Sequence, residues 1–237
     1  MAMWNGRTFV RVCAVLLALS CVGAFAQQAS KNLAPGFTHR ATGSKLVVIP
    51  VDMELFSISA GGVSEPRADW TEAAGKHFRE ELDKLQTTLG SGTLSLGDAD
   101  LDELAEINAL HGAVAQAVFV YHALGIVKLP TKNDQLNWSM GDAVKPLKEK
   151  TGADYALFTW IRDSYASAER KVAMVALAIL GVGIQGGAQV GYASLVDLNT
   201  GRVVWFNALR RASGDLREPS AAAETVATLL TGFPAVK

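Results

Sequence analysis

The sequence predicts a single α/β domain with a mixed sheet, antiparallel in its C-terminal half and packed by amphipathic helices. Three observations point there. Residues 45–51 (KLVVIPV) and 153–161 (ADYALFTWI) are apolar on both faces, as strands covered on both sides are. Residues 191–198 and 202–209 alternate around Asn199-Thr200-Gly201, which reads as a hairpin. Between these strands lie stretches with helical periodicity.

In chain order, 45–51 is the first strand, with Pro50 limiting ladder donation near its end. Residues 53–59 alternate weakly and run into Gly61-Gly62. Pro66 fits the first turn of a helix capped by Ser64 or Glu65. On that helix Trp70, Ala74, Phe78, Leu82, Leu85 and Leu89 share one face, and residues 90–92 end it. A second helix runs from Asp98 or Asp100 to about Leu124 and is apolar nearly all round, so it should be largely buried. A short helix follows to Lys150, with Pro146 near its first turn. After the 153–161 strand come an apolar insert at 171–187, the hairpin, and a closing helix ended by Gly232.

The N-terminus reads as a targeting segment. Arg7 and Arg11 precede an apolar core at 12–20, and Ala24-Phe25-Ala26 fits a small-x-small cleavage site before Gln27. Residues 1–26 are therefore expected to be a secretory signal peptide and the destination the periplasm. A lipid anchor on Cys21 is the secondary alternative, because Leu19 stands two residues before the cysteine rather than three. Cys13 and Cys21 are the only cysteines, so cleavage after Ala26 would remove disulfides and thiolate chemistry. It would also remove two positive charges, taking the net charge from −1 to about −3. With no basic stripe, nucleic acid is not an expected partner. Residues 27–44, polar with Pro35-Gly36, read as a linker, and the domain as 45–237.

The insert poses the main question. Residues 181–186 (GVGIQG) match G-x-G-x-x-G, but a strand-like alternation follows where a dinucleotide site needs a helix, and Asp197 comes too early to hold a ribose. A membrane span needs about 20 helical residues, and only 171–180 reads as helix. What remains is an apolar connection between two antiparallel strands. The expectation is a short helix folded back over one sheet face. The competing reading leaves it projecting as a contact surface formed by Val172, Val175, Ala176, Ile179 and Leu180, with Arg162 and Tyr165 at its rim.

Gly152-Ala153-Asp154, Val196-Asp197, Thr200-Gly201 and Trp205 carry a resemblance. The C-terminal half resembles the α/β domain of bacterial envelope accessory proteins: the curli-secretion lipoprotein, the lipoprotein activators of penicillin-binding proteins, and the N-terminal domain of the Tol–Pal β-propeller protein. The resemblance implies a periplasmic or outer-membrane-associated, non-catalytic domain working through protein contacts. The barrel-forming segments of the curli member are not carried over, because no alternating ten-residue hairpins occur here.

Other chemistry is sparse. His39, His77, His111 and His122 show no metal-ligand spacing, and His111 and His122 read as hydrogen-bonded core histidines. Residues 98–103 (DADLDE) begin like a calcium loop but lack its glycine and its final glutamate. No nucleophile elbow appears, and no metal or cofactor is expected. The best polar cluster is Asp52, Glu54, Glu65, Arg67 and Asp69 with Trp70, after the first strand, where α/β folds place ligand crevices. It is the basis of the alternative function, an envelope enzyme or small-ligand binder. The expected partners are envelope proteins, with membrane contact and homo-oligomer formation left open.

Overall fold

The computed structural model describes residues 30–85, 89–90, 92–97, 100, 102, 104–212 and 214–237, so the predicted leader and Cys21 lie outside the described residues. Residues 31–237 form one compact unit. Its strands are β1 (Leu46–Val48), β2 (Asp52–Ile58), β3 (Ser64–Pro66), β4 (Thr93–Ser95), β5 (Trp138–Ser139), β6 (Tyr155–Ala166), β7 (Gln189–Asp197) and β8 (Arg202–Arg211). Its helices are α1 (Ala68–Lys84), α2 (Ala105–Val118), α3 (Lys145–Thr151), α4 (Ala168–Ile179) and α5 (Pro219–Leu229). The predicted α/β domain with a mixed sheet is what the structure shows.

β6 is the centre of the sheet. It lies parallel to β1 and β2 on one side and antiparallel to β7 on the other, and β7 pairs antiparallel with β8. β1 and β2 follow the same neighbour and are one line broken at Pro50, which has no N–H to donate. β3 pairs antiparallel with β2, β4 parallel with β1, and β5 antiparallel with β8. The hairpin between β7 and β8 is held by Asp197, whose carboxylate accepts from the Asn199 N–H (2.8 Å) and the Thr200 hydroxyl (2.9 Å). Gly201 has φ 71°, and a Cβ there would stand 2.2 Å from the Gly141 oxygen, so the turn needs glycine twice over.

The alternation of side chains splits the core between the two faces. Leu46, Val48, Leu55, Leu157, Ile161, Leu195 and Trp205 meet Phe78 and Leu82 of α1 and Val226 and Leu229 of α5. Val47, Phe158, Tyr192 and Phe206 meet Ile107, Ala115 and Val118 of α2 and Leu147 of α3. Each fully buried aliphatic or aromatic side chain contributes about 1.5–3 kcal/mol, so both faces are committed to holding the fold.

Three expectations need correction. Residues 31–44 are not a free linker: Leu33 bridges Trp205, Ala34 donates its N–H to Val204, and Arg40 is fully buried, bonding the carbonyls of Leu89 and Pro234. Pro66 does not open α1. It ends edge strand β3, where a missing N–H costs nothing, and Arg67 takes the N-cap position. α1 stops at Lys84, ahead of residues 90–92. The last turn of the second helix, Phe119–Ala123, is a π-turn, closed by the Leu124 N–H on the Phe119 carbonyl (2.9 Å).

Candidate functional site

The insert forms an arm at the end of β6 and β7. Ser167 caps α4 by accepting the Arg170 N–H. The Arg170 guanidinium donates to the Gln185 carbonyl (2.8 and 3.1 Å) and the Ser59 carbonyl (3.3 Å), clipping the returning coil and the 59–63 turn to the arm's base. Beyond that clip the helix buries no residue. Val172, Val175, Ile179 and Leu180 are 71, 65, 82 and 76 % exposed, and Ala176 is exposed beside them. Their three- and four-residue spacing sets them along one side of α4. The expectation that the insert folds back over the sheet is therefore overturned: α1 and α5 cover one face, α2 and α3 the other, and the arm projects. Among the described residues no helix is long and apolar enough to cross a membrane.

The glycines serve close packing. A Cβ at Gly187 would lie 2.0 Å from the Ser164 oxygen. That approach lets Ser164 donate its N–H to the Ala188 carbonyl (3.1 Å) while its hydroxyl accepts the Ala188 N–H (3.0 Å). No helix follows the run, only β7, so no turn presents N–H groups to a pyrophosphate. Gly187→Ala should lower unfolding stability by about 3 kcal/mol, because backbone must move. Chemical denaturation measures this, and Gly183→Ala, which meets nothing within 4 Å, is the matched control.

The polar residues near the first strand fall into two clefts that share Arg67. One, of about 570 Å³, holds Asp52, Glu54, Arg67 and Arg162. Arg162 pairs there with Asp52 (2.7 Å) and Glu54 (3.5 Å) and lies over Trp160. The other, of about 720 Å³, is lined by Ser57, Glu65, Arg67, Trp70, Glu169, Lys171 and Arg217. Arg67 grips Asp69 through two bonds (3.0 and 2.7 Å), and that guanidinium holds the Asp69 carboxyl below the usual range. Trp70 meets Tyr165 edge-on and carries both Arg67 (4.4 Å) and Arg217 (4.3 Å) against its ring. Arg162 and Tyr165, expected as one rim, stand on opposite faces of β6: Arg162 with Trp160, Tyr165 with the α1–α5 core.

Sequence reasoning missed a buried polar ladder below the arm. Asp163, Gln189 and Arg211 are direct partners across β6, β7 and β8. Asp163 accepts from the Tyr165 hydroxyl, the Gln189 amide (2.5 Å each) and the Ser164 N–H (2.8 Å). Gln189 accepts in turn from Arg211 (2.8 Å) and from Thr225 of α5 (3.2 Å), and Arg211 pairs with Glu224 (2.6 Å). The Tyr165 oxygen accepts the Leu216 N–H (2.8 Å). Burial pushes the Asp163 carboxyl up to about 6, and burial together with Asp163 pushes the Tyr165 hydroxyl up. The ladder ties the strand ends that carry the arm to α5. Only the register of 163 against 189, which the local sequence does not fix, brings it together.

The core histidines behave as expected. His111 shares a hydrogen bond with the Ser194 hydroxyl (2.6 Å) and stacks on Phe158, and burial lowers its pKa to about 3. His122 meets the Lys31 carbonyl (2.8 Å). No group of three potential metal ligands occurs among the described residues.

No family model matches this sequence, and neither does any curated protein. Solved structures do show similarity. The PelC dodecamer from Paraburkholderia phytofirmans aligns at 14 % identity over 86 % of this chain and 95 % of that one, with a TM-score of 0.40. The C-terminal domain of LpoB from Salmonella enterica aligns at 13 % over 75 % and 87 %, with a TM-score of 0.28. Lipoprotein GNA1162 from Neisseria meningitidis aligns at 12 % over 79 % and 94 %, with a TM-score of 0.31. These are bacterial envelope proteins, but values this low establish neither family nor function for this chain.

Proposed function

We propose that the protein is a non-catalytic accessory or scaffold protein of the bacterial envelope, exported by the leader at 1–26 and acting through contacts made by its arm. One observation carries this reading: α4 holds an uncharged stripe of Val172, Val175, Ala176, Ile179 and Leu180 in solvent, on an element that the fold does not need for its own core. Exposed apolar surface on a rigid mount marks an interaction site. The mount is rigid because Arg170 clips its base and the Asp163 ladder braces the strands beneath it. The partner surface is an envelope protein or the membrane, and the two separate experimentally. Residues 27–237 are mixed with native envelope vesicles and with protein-free vesicles of the same lipids. Binding to both identifies lipid, binding to native vesicles alone identifies protein, and binding to neither rejects the proposal.

A second reading, a small-ligand site in the 720 Å³ cleft, is favoured by the unused hydrogen-bonding groups that line it.

A further inference from the structure

That cleft lies between the 59–63 turn, the start of α1 and the base of α4. Its floor includes Ser57, a residue 8 % exposed whose hydroxyl has no hydrogen-bond partner among the described residues. The residue is buried but its hydroxyl opens to the cleft, so it can donate to a ligand there at no cost to the fold's own hydrogen bonds. Its walls add three cations. Arg67 and Arg217 are each fixed twice, by stacking on Trp70 and by a bidentate bond through Nε and Nη2 to Asp69 and Asp215. Each keeps Nη1 without a hydrogen-bond partner among the described residues. Lys171 has no ion pair there either.

The first turn of α4 borders the same space and adds the positive end of its dipole. Two carboxylates line the cleft, Glu65 and Glu169. Glu169 is turned to its own backbone N–H and to Ser167, which lowers its pKa and keeps it ionised. Glu65 and Glu169 with Asp69 and Asp215 make four carboxylates against three cations, so it is the oriented free donors and not a net positive charge that favour an anion here. With Asp69 and Asp215 already neutralising much of the arginine charge, a group carrying one negative charge fits better than a polyanion.

We infer that this cleft binds a singly charged oxyanion group, a carboxylate or phosphate ester, through Ser57 Oγ, Arg67 Nη1, Arg217 Nη1 and Lys171 Nζ. This develops the second reading above and is independent of the arm's apolar stripe. A soluble anion and a phospholipid headgroup share this chemistry.

The test is calorimetric titration of residues 27–237 with inorganic phosphate near pH 6, where the singly charged form is abundant, and with acetate. It is followed by titration with neutral vesicles containing or lacking phosphatidylglycerol. Saturable binding is expected. Ser57→Ala should weaken it several-fold and Lys171→Gln about tenfold, while Arg210→Gln, at an exposed site elsewhere, leaves it unchanged. Neither test side chain holds another part of the fold, so loss of binding does not reflect unfolding. If phosphatidylglycerol vesicles bind in the same Ser57-dependent way, the source is a headgroup. If only the small anions bind, it is a soluble ligand. Either result supports the site. An absence of saturable heat with every probe overturns it, and so does binding that Arg210→Gln weakens as much as Lys171→Gln. Neither failure touches the arm, whose binding is read with Val175 and Ile179 variants.

Discussion

Asp163→Asn is expected to make the fold more acid-sensitive than the wild type. Two buried groups oppose each other. His111 is neutral in the fold, with a pKa lowered from 6.5 to about 3, so its contribution is present above 6.5 and is lost as pH falls. Between pH 7 and pH 4 that loss is about 3 kcal/mol, at about 1.4 kcal/mol per pH unit. Asp163 works in the other direction. Its pKa is raised from 3.8 to about 6, so its contribution is full below 3.8 and is lost as pH rises through 6. Acidification from pH 7 to pH 4 therefore restores between about 2 and 3 kcal/mol through Asp163. The two nearly cancel in the wild type. Asparagine cannot titrate, so the variant lacks that offset and should lose between about 2 and 3 kcal/mol more than the wild type on going from pH 7 to pH 4. Urea denaturation at the two pH values reads this directly. Equal pH dependence in the two chains would show that Asp163 does not titrate as its burial demands.

Val175→Ser with Ile179→Ser is expected to abolish partner binding and leave folding unchanged. These side chains are 65 and 82 % exposed, so removing them from the free protein should shift stability by no more than about 0.5 kcal/mol. In a complex each would bury apolar surface worth about 1.5–3 kcal/mol, so losing both weakens binding by about a hundredfold or more. Retained binding at wild-type strength would move the contact away from this stripe. A drop in melting temperature of several degrees would mean that the arm packs against the domain.

The parts of the fold legible in the sequence were those with a strong period or an unambiguous turn. The doubly apolar strands around Val47 and Phe158, the Gly201 hairpin and the α1 stripe of Phe78 and Leu82 stand where their patterns put them. Short edge strands were not legible. β3, β4 and β5 are two or three residues long, too short for any period, and exist because a neighbour's edge is available. For the same reason Pro66 read as a helix start, since proline suits an edge strand and a first helical turn alike. The segment around Arg40 read as linker because its composition is polar, and only tertiary contact with Leu89 and Pro234 reveals why it is buried.

The site was legible in outline. The apolar insert announced itself, but whether such a helix covers a sheet or projects depends on whether other helices have already taken the faces. α1, α2 and α5 had, and local sequence carries no record of that. Asp52, Glu54, Glu65, Arg67 and Trp70 lie near one another, yet β2 and its neighbours distribute them between two clefts. Ser57, Gln189, Arg211 and Arg217 came from registers and loops that single-sequence reasoning does not fix.

The most direct test of the account is co-sedimentation of residues 27–237, prepared without detergent, with native envelope vesicles, wild type beside the Val175→Ser/Ile179→Ser double variant. The account predicts that the wild type pellets with the vesicles while the variant, equally folded by thermal melt, stays in the supernatant. Equal pelleting of the two, or no pelleting of either, would contradict it.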